Sequence, residues 1–395
     1  MPKELFQSGT FKGLDVHDAF AIAALAQQAV QSDPGAIPWP PNLAPAPVAL
    51  GTYVPGATIT GPLKLKADAL IILYTNEETS ALLQVFTQNR EWTAARKKTW
   101  CGYAHNFATL KNSIQGIGQD DGLKDGLFGY LSAVKIGSKT VVLYKTELHP
   151  KQNGKLLPFI PVIKQLVSEL APGLVISTGT AGGVGSKINC GDVAITSTAR
   201  FHCRERYPAF PALDAMTAND TALSNSVSFD PQYVSYAAAN LTKLSLPGLG
   251  QCYDALQKPP GYGFVKKNAT APAIYVTDKS PVPGPEPMAI VSADYLTVDD
   301  DNDSEGLQPL GIMNDTDDAF AFYAINEIVA NRPKWLSVRN ASEPQVITPP
   351  FPPGTTSGKI VDTLKGTAGS IYGIYQYCTT LNSAFACWGI VAGMQ

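Results

Sequence analysis

The sequence predicts an α/β domain in three layers, α/β/α, around a central mixed sheet. Two observations predict it. From about residue 67 onward, short apolar runs alternate with longer segments whose apolar positions recur at helical spacing, the pattern of one sheet covered by helices on both faces. Several of those runs end in polar clusters, "YTNEE" at 74–78, "STGTAGG" at 177–183, "SAD" at 292–294 and "RNASE" at 339–343. Ligands of open α/β sheets sit beyond the carboxyl ends of the strands, so four such ends describe one site lined by carboxylates.

The elements follow in order. Residues 15–30 carry helical apolar spacing. Eight prolines between Asp33 and Pro62 then predict an extended arm without regular structure, wrapping the domain or a partner. We place the arm at 1–66 and the globular body at 67–395. "ALIILY" (69–74) reads as a buried strand and "EETSALLQVFTQN" as a helix. "LSAVKI" and "KTVVLYKTEL" form a hairpin or strand pair, "LLPFIPVIKQLVSELAP" a helix, and "GLVIST" a strand. "TGTAGG" reads as a bare turn, because glycines remove side chains where the backbone turns tightly or lies against a ligand. "DVAITSTARF" resumes as a strand. The stretch 205–288 is an irregular insertion apart from a helical "PQYVSYAAANLTKL". "PMAIVSADYL" is a strand, "TDDAFAFYAINEIVANR" a helix and "KWLSVRNAS" a last strand. The uncharged run 366–395 reads as a buried or interface helix.

The 395 residues are 45% hydrophobic and 16% charged, ample for a sizeable core. A net charge of −3 gives no basic excess for nucleic acid. Six cysteines without a CxxC pair are expected to be reduced and buried, and with no leader visible at the N-terminus the expected location is cytoplasmic. No membrane span is expected.

The segment "TGTAGGVGSKINCGDVAITSTARFH" resembles the signature of the nucleoside phosphorylase and nucleosidase superfamily. "IILYTNEETSALL" resembles the first strand and acidic turn of its methylthioadenosine and adenosylhomocysteine nucleosidases, and "VSADYL", "DDAFAFYAI" and "VRNASE" follow in that family's order. The resemblance spans roughly 67–395 outside the insertion. It implies the phosphorylase/hydrolase-like form of the α/β/α fold, cleavage of the N-glycosidic bond of a purine nucleoside, no metal or organic cofactor, and a homodimer or larger homo-oligomer. That chemistry suits acidic strand ends: positive charge develops on the sugar, the leaving base needs a proton, and water needs a base.

By the resemblance, Glu78 activates water, and Thr180, flanked by the backbone of Gly179 and Ala181, lies at the sugar or phosphate side. Leu296 stands where an aromatic meets the base, with Tyr295 as the alternative stacking group. Asp318 stands at the ribose-binding glutamate and Asp317 at the neighbouring methionine. Glu343 stands at the general acid, with Arg339 upstream and Asn340 as an added polar group at the base side. Asp at 318 and Glu at 343 exchange the family's side-chain lengths. The phosphorylases' arginines are missing from the first turn and from before Thr178, which favours hydrolysis. Arg200, Arg204 or Arg206 supplying a phosphate site, and a nucleoside-binding protein without chemistry, are the alternatives. "DDDNDSEG" (299–306) reads as a solvated acidic loop, and His105, His149 and His202 as structural histidines.

Overall fold

The computed structural model describes residues 37–87, 92–111, 121–149, 156–185, 188–202, 222–245, 272–277, 288–293, 306–344, 354 and 356–395. The helix expected at 15–30 lies outside them, as do Tyr295, Leu296, Arg204, Arg206 and the acidic loop at 299–305.

The strands, in chain order, are β1 (Ala46–Val48), β2 (Thr58–Ile59), β3 (Ala69–Leu73), β4 (Cys101–Tyr103), β5 (Gly129–Ile136), β6 (Lys139–Thr146), β7 (Leu174–Gly183), β8 (Val193–Thr196), β9 (Thr198–His202), β10 (Ala222–Ser224), β11 (Ile274–Val276), β12 (Ile290–Ala293), β13 (Met313–Asp315) and β14 (Lys334–Pro344). The longer helices are α1 (Asn76–Thr87), α2 (Leu156–Leu170), α3 (Pro231–Ser245), α4 (Asp318–Asn326) and α5 (Ser357–Ala392). Every residue of β3 is buried, as befits a strand covered on both faces, and it pairs in parallel with β6 and β7. The hairpin expected at 131–148 is β5–β6, antiparallel and turned at Gly137 (φ 57°).

The sheet is mixed. β7 sits at its centre, with β3 and then β13 on one side and β14 along the other. β14 continues to β8; β9 follows after a break at Ser197 and pairs with β12, which pairs with β13 and so returns to β7. This ring of strands encloses the polar network described below.

Helices α2 and α4 cover one face, and α1, α3 and α5 the other, each layer closing over its own apolar cluster. Phe322 of α4 stacks on Trp335 at the start of β14, with ring centroids 3.9 Å apart. The uncharged C-terminal run falls largely within α5, which packs against α1, α3 and β14 and is mostly buried from Cys378 on. Among the described residues no helix is long and apolar enough to cross a membrane. The four described cysteines, 101, 190, 378 and 387, are buried.

Two expectations are corrected. The proline-rich arm does hold regular structure: β1, with Pro47 inside it, adds to an edge of β5, and β2 pairs with β4, positions where a proline's missing N–H is tolerated. Trp388 of α5 also ties the arm down, its indole N–H donating to the Leu43 carbonyl at 2.8 Å. Secondly, "TGTAGG" is no turn. β7 runs straight through it to Gly183, paired with β14, and the bareness of Gly179 has another cause.

Candidate active site

Helix α1 begins with a reciprocal cap. Thr75 Oγ1 accepts from the Glu78 N–H at 3.2 Å, and Glu78 Oε2 accepts from the Thr75 N–H at 2.9 Å and the Tyr74 N–H at 3.2 Å. The cap fixes the glutamate's direction. Its other oxygen, Oε1, reaches β7 and accepts from Thr180 N–H at 2.7 Å and Thr180 Oγ1 at 2.8 Å. The carboxylate fills the space beside Gly179: a Cβ there would overlap it, and the backbone, at φ +148°, suits only glycine.

Arg339 is the hub. It projects from β14 opposite Gly179, 1% exposed, and its Nη1 donates to the Thr180 carbonyl at 2.9 Å and lies 3.9 Å from Glu78 Oε1. The guanidinium binds Asp318 through two N–H groups, Nε to Oδ2 at 3.1 Å and Nη2 to Oδ1, and Nη2 also meets Asp315 Oδ2 at 3.2 Å. Its carbon sits 5.1 Å from the centre of the Tyr74 ring.

Asp318 opens α4 and is wholly buried. Besides Arg339 it accepts from Ser177 Oγ and from Ser337 Oγ, the latter at 2.5 Å; the two serines face each other in register on β7 and β14. Tyr74 OH lies 2.9 Å from Ser177 Oγ. Asp315 accepts from Ser292 Oγ at 2.5 Å and from the Asp318 N–H at 2.9 Å. Asp317 lies at the edge of the same cluster. Its Oδ1 meets Thr316 Oγ1 at 3.2 Å and His149 Nδ1 at 3.3 Å, and its Oδ2 stands 3.9 Å from Arg339 Nη2.

Four carboxyl groups around one guanidinium cannot all ionise cheaply. Burial, then the Asp318 charge, push the Asp315 carboxyl well above its usual range, against the pull of Arg339. Burial likewise raises Asp317, and with Asp318 and Glu78 adding to it against Arg339 the group reaches about 7. Burial also opposes ionisation of Asp318, but Arg339 and the serine hydroxyls outweigh it and hold this carboxyl below its usual value. Burial and the nearby Asp318 and Asp317 push the Tyr74 hydroxyl well up.

The structure thus gathers Glu78, Gly179, Thr180, Arg339, Asp317 and Asp318 at one place, beyond or along the carboxyl ends of β3, β7 and β14. Thr180 is only half-buried and Ala181 is buried beside it. Asn340 is not brought there. It follows Arg339 on the strand and so points to the other face, where Nδ2 donates to Thr379 Oγ1 at 2.7 Å and Oδ1 accepts from Ser383 Oγ at 2.8 Å, both on α5. Glu343 has a backbone position, opposite Gly182 after a bulge, and its side chain lies outside the described residues. His149, expected to be merely structural, adjoins Asp317, with its ring edge-on to Tyr74 at 5.8 Å. Tyr74, Asp315 and the serines 177, 292 and 337 were missed as site residues; the matched polar positions 177 and 337, each two residues before a site residue on a strand, were the available signal. Among the described residues no group of three or more His, Cys, Asp or Glu could hold a metal ion.

No protein-family model and no curated protein matches the chain. Solved structures do. A 5′-methylthioadenosine/S-adenosylhomocysteine nucleosidase from Helicobacter pylori, with butyl-thio-DADMe-Immucillin-A, is 10% identical over 83% of this chain and 98% of that one, with a TM-score of 0.44. Futalosine hydrolase of Helicobacter pylori strain 26695 is 9% identical over 82% and 97%, with a TM-score of 0.43. The corresponding methylthioadenosine/adenosylhomocysteine nucleosidase of S. pneumoniae, with the transition-state inhibitor MT-ImmA, is 14% identical over 82% and 99%, with a TM-score of 0.41.

Proposed function

We propose that this chain hydrolyses the N-glycosidic bond of a purine nucleoside to free base and ribose. The observation that carries the reading is the Glu78–Thr180–Arg339 contact: a buried carboxylate seated against Gly179, with the hydroxyl of the half-buried Thr180 donating to it. A water held on Thr180 Oγ1 attacks C1′ and passes its proton through the hydroxyl to Glu78. The C1′–N bond breaks with its electron pair on the base, which takes a proton from Glu343, the acid the family resemblance assigns. Positive charge developing on the ribose is met by the acidic lining, the electrostatic term such reactions depend on. We assign the ribose hydroxyls to Asp317 in place of Asp318, because Asp318 already accepts from Arg339 and two serines and has no exposure left. The fully engaged Arg339 favours water over phosphate as the nucleophile.

A specific observation favours one competing reading, a nucleoside-binding protein without turnover. Both oxygens of Glu78 already accept two hydrogen bonds each, so its lone pairs are engaged by the protein itself. Product analysis on a panel of purine and pyrimidine nucleosides separates the readings. Free base and free ribose in phosphate-free buffer support hydrolysis, and ribose 1-phosphate formed only with phosphate overturns it in favour of phosphorolysis. Saturable binding without product establishes the binding protein.

A further inference from the structure

Asp317 sits in an environment hostile to its charge. Asp318 and Asp315 come from its own turn, Glu78 from the start of α1, and the Tyr74 hydroxyl from the end of β3. Arg339, from β14, is the cation that ought to compensate, but its closer contacts go elsewhere: Asp318 at 3.1 Å and Asp315 at 3.2 Å, with Asp317 left at 3.9 Å. A second basic group meets Asp317 from the segment after β6. His149 places Nδ1 3.3 Å from Oδ1, and its ring is held edge-on against Tyr74. The side chains differ in depth, 16% exposed for His149 and 5% for Asp317, so an imidazolium facing the carboxylate would keep contact with water.

We infer that His149 is a positioning residue for Asp317, its imidazole holding the carboxyl turned toward a ligand's vicinal hydroxyls and easing its ionisation among acidic neighbours. The inference rests on the proposed reading of Asp317 as the ribose-binding group. Its consequence is specific: the pH below which the site loses a vicinal diol is set by two residues, one outside the acidic cluster. Removing the imidazole leaves Asp317 with Arg339 at 3.9 Å against three carboxyl groups, and its ionisation moves to higher pH.

The test titrates the Asp317 carboxyl by 13C NMR in ligand-free protein, the resonance assigned by its loss in Asp317→Asn, alongside KM for a nucleoside across pH. In His149→Ala, and in His149→Asn, which keeps a polar neighbour without the charge, the midpoint should rise by about one pH unit. The low-pH limb of KM should rise with it, and His149→Lys should bring both back toward wild type. An unchanged midpoint in both the Ala and Asn variants overturns the inference whether or not nucleosides are cleaved. A raised midpoint with no nucleoside bound or cleaved upholds the pair and overturns the proposed reaction instead.

Discussion

The Glu78 carboxylate occupies the space that a side chain at residue 179 would need. One residue's absence of a side chain thus positions another's functional group, joining the cap of α1 to the middle of β7. Gly179→Ala should expel the carboxylate, because the methyl overlaps it and the φ of +148° strains any larger residue. A displacement of about 1 Å costs on the order of a hundredfold in rate, so cleavage should fall at least that far. The melting temperature should fall as well. Turnover and stability both at wild-type levels in Gly179→Ala would rule this packing out.

Glu78→Gln probes the same contact from the other side. The amide keeps the shape but cannot take a proton from water, and a general base contributes roughly 10²–10⁴-fold. The expected result is a loss of kcat in that range with KM little changed. Because the carboxylate also completes the α1 cap, stability should drop by about 1 kcal/mol. Steady-state kinetics and a denaturant melt measure the two effects separately. Wild-type kcat in this variant would remove Glu78 as the base.

The layers and the central strands were legible because short continuous apolar runs such as "ALIIL" and "GLVIS" alternate with longer segments of helical spacing. The bareness of Gly179 was legible too, but what fills the space was not, since Glu78 arrives from a distant helix and only the fold brings it there. Of the adjacent Asp317 and Asp318 the sequence could not say which one Arg339 binds directly: a single step at a helix start swings the side chain by about 100°. The two faces of the Arg339–Asn340 pair are readable from strand alternation. Neighbouring residues in a strand point to opposite faces, so the arginine and the asparagine cannot both line the same site.

That alternation yields a prediction for Asn340. Its amide bridges Thr379 and Ser383 and so fastens α5 to β14. Asn340→Ala removes a buried bridge and leaves Thr379 and Ser383 to find other partners, a cost of about 1–3 kcal/mol. Denaturant unfolding should register that loss. KM and kcat for a nucleoside at a permissive temperature should not change, and a selective rise in KM would return this residue to the base side of the site.

Asp317 makes stability depend on pH with a definite sign. Its carboxyl is raised from an ordinary 3.8 to about 7 by burial and by the Asp318 and Glu78 charges, so the folded state holds this proton where the unfolded chain has released it. The contribution is fully present below about pH 4 and is lost as pH rises through 7, at up to about 1.4 kcal/mol per pH unit. Asp315 acts in the same direction, while Asp318, held below its usual value, acts oppositely and only in acid. Subtracting one variant from wild type isolates the Asp317 part. Asp317→Asn carries no titrating group, so its melting temperature relative to wild type should climb between pH 5 and pH 8 and level off above. In the same variant KM for a nucleoside should exceed the wild-type value most at pH 8, where the wild-type carboxylate is ionised, and least at pH 5. A difference in melting temperature that stays flat across that range would show Asp317 ionised throughout, and the assignment of the ribose hydroxyls would then need another explanation for its pH dependence.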